Sequence, residues 1–222
     1  MDWRYNSLWI DQLPPGQFSQ RDFRVRAPAQ PSAASYLFAD GFKPKSRNFY
    51  DLPADRAMCF LHMVQSNVES FDGVSTFAQL KRLELHYCLK LESDRGLGPL
   101  SGSLEWLHIS QSRKFAFGDE LLSLRGLKVL CLNDCGPIPS LSFLDNFPDL
   151  VDFRFVGTNI LDGDLTPLLR HPRLCNAGFL DKLHYNLKSA FVEQQLKPKF
   201  DAAVLTAHKG PHSTFRYKVL GE

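Results

Sequence analysis

Almost no net charge is left over in this chain. Lys and Arg number 26 and Asp and Glu 24, a formal charge of +2 over 222 residues. So small an excess argues against a nucleic-acid partner held by phosphate neutralisation, which needs a basic stripe. The excess sits at the ends: residues 1–50 hold seven Lys/Arg against four Asp/Glu, and residues 183–222 hold six against three. Such mild basicity reads as solvated surface. Uninterrupted apolar runs are missing as well. The opening MDWRYNSLWIDQLPPG is broken by Asp2, Arg4 and Asp11, which leaves no secretory core, and no window approaches a membrane span. Cysteine is scarce: there are five, at 59, 88, 131, 135 and 175, with no Cys-x-x-Cys pair. The odd number and the apolar surroundings read as reduced, buried thiols rather than a disulfide framework or a structural zinc site. These absences predict a soluble, cytoplasmic protein with no nucleic-acid and no membrane partner.

Catalytic signatures are absent too. The chain has no HExxH, no GxxxxGK[ST] and no GxSxG. The glycines of GLGPLSG, at 96, 98 and 102, miss the dinucleotide-binding spacing and precede a strand rather than a helix. Ser101 has no base in reach of the sequence. A non-enzymatic protein without a cofactor or metal is therefore expected. What is present is core material, with 44% hydrophobic residues and 18 phenylalanines.

That material is ordered by a repeat. LKRLELHYC begins at Leu80, LEWLHISQS at Leu104, LKVLCLNDC at Leu127, LVDFRFVGT at Leu150 and LCNAGFLDK at Leu174, so the starts lie 24, 23, 23 and 24 residues apart. Each unit is apolar at its first, fourth and sixth positions, as in Leu127, Leu130 and Leu132. The ninth is small or polar (Cys88, Ser112, Cys135, Thr158), with Lys182 breaking the rule. MCFLHMVQSNV, residues 58–68, is a candidate sixth unit whose register the sequence leaves open. The pattern resembles the leucine-rich repeat family, L-x-x-L-x-L-x-x-N/C-x-L in 20–29 residues. The resemblance implies a short α/β solenoid, its strands joined in one parallel sheet along a concave side. In the family the ninth residue hydrogen-bonds loop backbone; a cysteine does so weakly and packs equally well.

The organisation expected is an irregular, partly β cap over residues 1–56, repeats over 57–182, and a capping helix with a hairpin over 183–222. FRVRA (23–27) and SYLFA (35–39) read as short strands, Pro28–Pro31 as a link and Asp40–Gly41 as a turn. Between the repeat strands, apolar residues three or four apart predict short helical turns. Asp119 and Asp164 are the expected N-caps, with Pro167 in a first turn and Pro148 and Pro172 as stops. The Asp-Gly-Asp at 162–164 reads as a cap and not a calcium loop. NLKSAFVEQQLK (186–197) reads as a helix capped by Asn186, followed by a hairpin around HKGPHS.

Residues between the buried positions face the inner wall in three columns. The first runs Arg82, Trp106, Val129, Asp152, Asn176; the second Glu84, His108, Cys131, Arg154, Gly178; the third His86, Ser110, Asn133, Val156, Leu180. Partner contact is expected from Arg82, Glu84, His86, Trp106, His108, Asn133, Asp152 and Arg154. Trp106 leads, because tryptophan beside charged residues has the composition of an interface anchor. The competing reading covers Trp106 with the chain's own N-terminal segment. Glu84, His108 and Cys131 share a column, but a flat sheet spaces them poorly for tetrahedral coordination, so a mixed polar surface is expected there.

FLDKLHYNLKSAF (179–191) looks like the closing segment of small bacterial leucine-rich repeat proteins, and the whole resembles leucine-rich repeat immunity proteins. That likeness implies a bacterial protein that neutralises a cognate toxin or secreted effector by binding it. An adaptor that recruits a protein partner stays open as the alternative, and a hydrolase with its site outside the repeats as a third.

Overall fold

Apolar residues alternating at the fourth and sixth positions give each unit a short strand with one buried face, which cannot stand alone. A computed structural model of the protein describes residues 5–6, 16–25, 34–208 and 214–218. Eight strands lie side by side in chain order: β1 (Phe18–Asp22), β2 (Tyr36–Asp40), β3 (Phe60–Val64), β4 (Arg82–His86), β5 (Trp106–Ser110), β6 (Val129–Asn133), β7 (Asp152–Arg154) and β8 (Asn176–Gly178). Every neighbouring pair is parallel and in register. The architecture is an α/β solenoid with one strand per coil. Its core is the ladder that the repeat requires: Leu83, Leu107, Leu130 and Phe153 at the fourth position and Leu85, Ile109, Leu132 and Phe155 at the sixth are all buried. Phenylalanines extend it, with the rings of Phe153, Phe155 and Phe179 stacked 5.2 and 5.1 Å apart.

The sheet runs further toward the N-terminus than the boundary expected at residue 57. β1 and β2 fall inside residues 1–56 and continue the parallel register. The β2 coil escapes the leucine pattern because Ala34 and Ala39 stand where its neighbours carry larger residues. SYLFA supplies β2, whereas FRVRA follows β1 instead of forming a strand; its residues 26–27 and the Pro28–Pro31 link lie outside the described residues. β3 fixes the register of 58–68, pairing Phe60 with Arg82, so Met58, Leu61 and Met63 take the first, fourth and sixth positions.

A further repeat lies in the backbone. The eighth position is left-handed in six successive coils: Gly41 (φ 67°), Gln65 (57°), Tyr87 (56°), Gln111 (57°), Asp134 (48°) and Gly157 (77°). This single left-handed residue turns the chain out of the strand, and four coils accept the steric cost of a side chain there. The ninth residue then closes the corner. The Thr158 hydroxyl donates to the Leu132 carbonyl (2.7 Å) and accepts from the Cys135 N–H (2.8 Å), while Ser66 donates to the Phe42 carbonyl (2.6 Å). Cys88 and Cys135 reach carbonyls only at 3.5–3.7 Å, and burial pushes both thiols up to about 12, so they serve as packing.

The convex side carries 3₁₀ turns at Val74–Phe77, Gly98–Leu100 and Leu141–Asn146, and short helices α1 (Asp119–Leu122) and α2 (Thr166–Arg170). Several of their orphan N–H groups are satisfied across coils rather than within them. Asp94 accepts from Gly118 N (2.7 Å) and Leu121 N (2.8 Å), so α1 is capped from the preceding coil and Asp119 sits inside its first turn. Glu120 reaches back to Gly96 N and Gly98 N. The N-cap of α2 is Leu165 and not the expected Asp164, whose carboxylate accepts from Thr166 N (2.9 Å) in the turn just before the helix. His171 works as a backbone substitute. Its Nε2 faces the Phe147 carbonyl (3.0 Å) while Nδ1 accepts from Arg173 N and Leu174 N, an arrangement open only to the neutral ring. Burial lowers its pKa.

After the last coil, the Tyr185 hydroxyl accepts from Ile160 N and Asn186 accepts from Leu165 N. Asn186 is thus spent on the solenoid, and α3 (Ser189–Ala203) begins later than expected, with Asp181 receiving Ser189 N. β9 (Val204–His208) and β10 (Thr214–Tyr217) form an antiparallel pair, and residues 209–213 of the expected turn lie outside the described residues. Among the described residues, no helix is long and apolar enough to cross a membrane.

Two measurements probe this frame. Gly157→Ala places a Cβ 2.3 Å from Asp134 Oδ1 at a left-handed backbone, and is expected to lower unfolding free energy by more than about 1 kcal/mol in urea melts. Tyr87→Gly, at the equivalent corner, is expected to leave it unchanged or raise it by up to about 1 kcal/mol. The unfolded His171 ring takes a proton near 6.5 and the folded one only at lower pH, so stability is full above that value and falls as pH drops through it. His171→Gln is therefore expected to lose less unfolding free energy than the parent between about pH 7.5 and about pH 5.

Candidate functional site

The strand register sets the inner-wall columns directly: Arg82, Trp106, Val129, Asp152 and Asn176 are successive partners, as are Glu84, His108, Cys131, Arg154 and Gly178. β3 extends them, placing Phe60 beside Arg82 and His62 beside Glu84. Side chains that share a column lie about 4.8 Å apart along the sheet, close enough to act on one another.

From Arg82 to Asp152 the first column does not face solvent, and only Asn176 at its end is half-buried. Trp106 is 2% exposed, Arg82 2% and Asp152 0%, which corrects the expectation of a tryptophan open to a partner. The reason is hydrophobic. Trp106, Val129 and Cys131 form an apolar strip on the inner wall, and the C-terminal elements fold back over it. Tyr217 and Cys175 complete the buried cluster, with Phe200, Val204 and Phe215 packed against it. The N-terminus contributes as well: the Tyr5 carbonyl accepts from Arg82 Nη1 (2.7 Å), and Tyr5 bridges Arg216 antiparallel.

Two buried charges are matched inside this seal. Arg82 lies between aromatic rings, its guanidinium carbon 3.5 Å from the Trp106 ring centre and 5.8 Å from that of Phe60. Its Nε donates to Glu84 Oε1 at 2.6 Å. Burial alone would raise the Glu84 carboxyl, but the Arg82 charge, the His86 hydrogen bond and nearby imidazoles hold it well below the usual carboxylate range. Asp152 accepts from Arg154 Nε (3.0 Å) and from the Tyr217 hydroxyl (2.8 Å), and burial, with Asp152 behind it, pushes that phenol well above its usual value. Arg154 also donates to Asn6 Oδ1 (2.5 Å). Arg82, Trp106 and Asp152 thus join Tyr5 and the C-terminal elements to the wall, while Glu84 balances Arg82.

The second and third columns remain partly open. A cavity of about 240 Å³ is lined by His62, Glu84, His108, Asn133, Arg154 and Trp106, among others. Among the described residues, the Trp106 indole N–H has no hydrogen-bond acceptor. Three histidines gather here: the His86 ring centre is 4.7 Å from that of His62 and 4.6 Å from that of His108. Val156 N donates to Asn133 Oδ1 (2.9 Å), which turns the Asn133 amide nitrogen toward His108 Nε2 (3.1 Å). His108 Nε2 is then the acceptor and its proton sits on Nδ1. Burial holds His108 neutral, its pKa down to about 3. Cys131 stands beside His108 as expected and lines the same cavity, but it is buried and packs with the Trp106 and Tyr217 cluster rather than on an open polar surface.

No protein-family model and no curated protein matches the chain. A solved structure of an internalin from Listeria monocytogenes is similar over 68% of this chain, at 14% identity and a TM-score of 0.34. The match covers 57% of that internalin chain. The solenoid itself is read from this chain's own repeat and strand register.

Of the eight residues expected to contact a partner, His108, Asn133 and Arg154 stay half-buried around the cavity and His86 half-buried next to it, whereas Arg82, Glu84, Trp106 and Asp152 are buried. His62 belongs with the first group and escaped sequence reasoning because the register of 58–68 was open. Ser66 at its ninth position was the signal that would have set it. The buried pair gives a direct test. Arg82→Ala strands the Glu84 carboxylate and is expected to cost about 3–5 kcal/mol in chemical denaturation, while Arg82→Met with Glu84→Leu recovers most of that loss.

Proposed function

We propose that this protein is a non-enzymatic module that binds a protein partner, and that it acts as a bacterial immunity protein neutralising a cognate toxin or effector by direct contact. The observation that carries this reading is the division of the inner wall. One column is sealed from Arg82 to Asp152, and beside it His86, His108, Asn133 and Arg154 stay partly exposed, with Tyr87 and Leu89 on the loop that leaves β4 at the rim of the wall. Tyr87 is 53% exposed and Leu89 62%, two large side chains on the loop that directly follows His86 at the end of β4. Aromatic and aliphatic anchors around a polar centre suit a protein surface, and a rigid frame reduces the entropy lost on docking. The immunity role rests on the resemblance of the repeats and of the closing segment 179–191.

Deleting the gene in its host, with a neighbouring toxin gene intact, is expected to arrest growth, and expression in trans to restore it. The double variant Tyr87→Asp/Leu89→Asp should fold, by circular dichroism, and restore growth at least about tenfold less well. Normal growth after deletion overturns the immunity role; full rescue by the double variant overturns the rim as the contact surface.

A further inference from the structure

We propose that His62, Glu84 and His86 form a binding site for one divalent first-row transition-metal ion, Zn²⁺ in particular. The donor atoms are already gathered. Glu84 Oε2 lies 3.3 Å from His86 Nε2 and 3.8 Å from His62 Nδ1, and the three donor atoms all fall within 4.8 Å of one another. Ligand bonds of about 2.0–2.1 Å at tetrahedral angles put donor atoms about 3.3 Å apart. One edge of the triangle therefore has that length, and small side-chain rotations close the others.

The surroundings orient the ligands. Arg82 Nε holds the other carboxylate oxygen of Glu84, so Oε2 is the one presented to the histidines. The His62 ring lies 5.7 Å from the Phe38 ring and 6.4 Å from that of Phe60, which restricts its tilt. Two imidazoles and a carboxylate form the donor set of a zinc centre with an open fourth position. The histidine side chains are 29% and 20% exposed, so an ion can enter. Arg82 already balances Glu84, so the ion's charge favours an anion, hydroxide or carboxylate, at the fourth position.

The test uses the full chain, stripped with EDTA and titrated calorimetrically with ZnCl₂, alongside Co²⁺ loading read by visible absorption. The expected result is one ion per chain, with the intense d–d bands of tetrahedral Co²⁺. His62→Ala and His86→Ala should each weaken Zn²⁺ binding by at least about a hundredfold, while His184→Ala binds as the parent does. Glu84→Gln should do the same, but the two histidine variants keep the test sound if that buried change unfolds the chain. Absence of saturable binding, or undiminished binding in the His62→Ala/His86→Ala double variant, overturns the site.

Discussion

Lateral stacking of coils is the constraint on which everything else depends. A single coil of this chain has leucines on one face of a strand no longer than five residues, and nothing within the coil can cover them. Only a neighbour in strict register buries Leu107 against Leu83 on one side and Leu130 on the other. That demand fixes the spacing of units, and it also aligns every intervening residue into a column. The charged pairs, the histidine cluster and the sealed tryptophan all follow from this alignment.

The same geometry explains why the inner wall is divided. A column is useful as a surface only if its residues tolerate water, and Trp106 and Val129 do not. The chain resolves this by returning its C-terminal strand pair over them, which forces Arg82 and Asp152 indoors. Each then needs an opposite charge and aromatic or hydroxyl neighbours, and each has them: Glu84 with Trp106, Arg154 with Tyr217. The half of the wall left partly open is polar, and Asn6 reaches it at Arg154.

The period was legible because leucine at the first and fourth positions is a side-chain requirement that packing imposes on each unit. The left-handed eighth position was not, because backbone conformation announces itself only where glycine is used, and Gln65, Tyr87, Gln111 and Asp134 occupy it in the middle coils. Helix caps were misplaced for a related reason. Sequence reasoning looks for a cap next to its helix, whereas in a solenoid Asp94 of one coil serves the helix of the next. The column assignments followed directly from the period, but the exposure of Trp106 depended on where residues 204–208 and 214–217 fold, which local pattern does not encode. His62 was out of reach until strand pairing settled its coil.

The bond between Tyr217 and Asp152 joins residues 65 apart in sequence, and Tyr5 meets Arg216 across nearly the whole chain. A solenoid can otherwise assemble coil by coil as the ribosome delivers it. Here the apolar strip around Trp106 stays uncovered until β9 and β10 lie over it, so a chain with every coil in place still exposes it. Closure by that strand pair, rather than repeat number, decides when the strip is shielded from other chains.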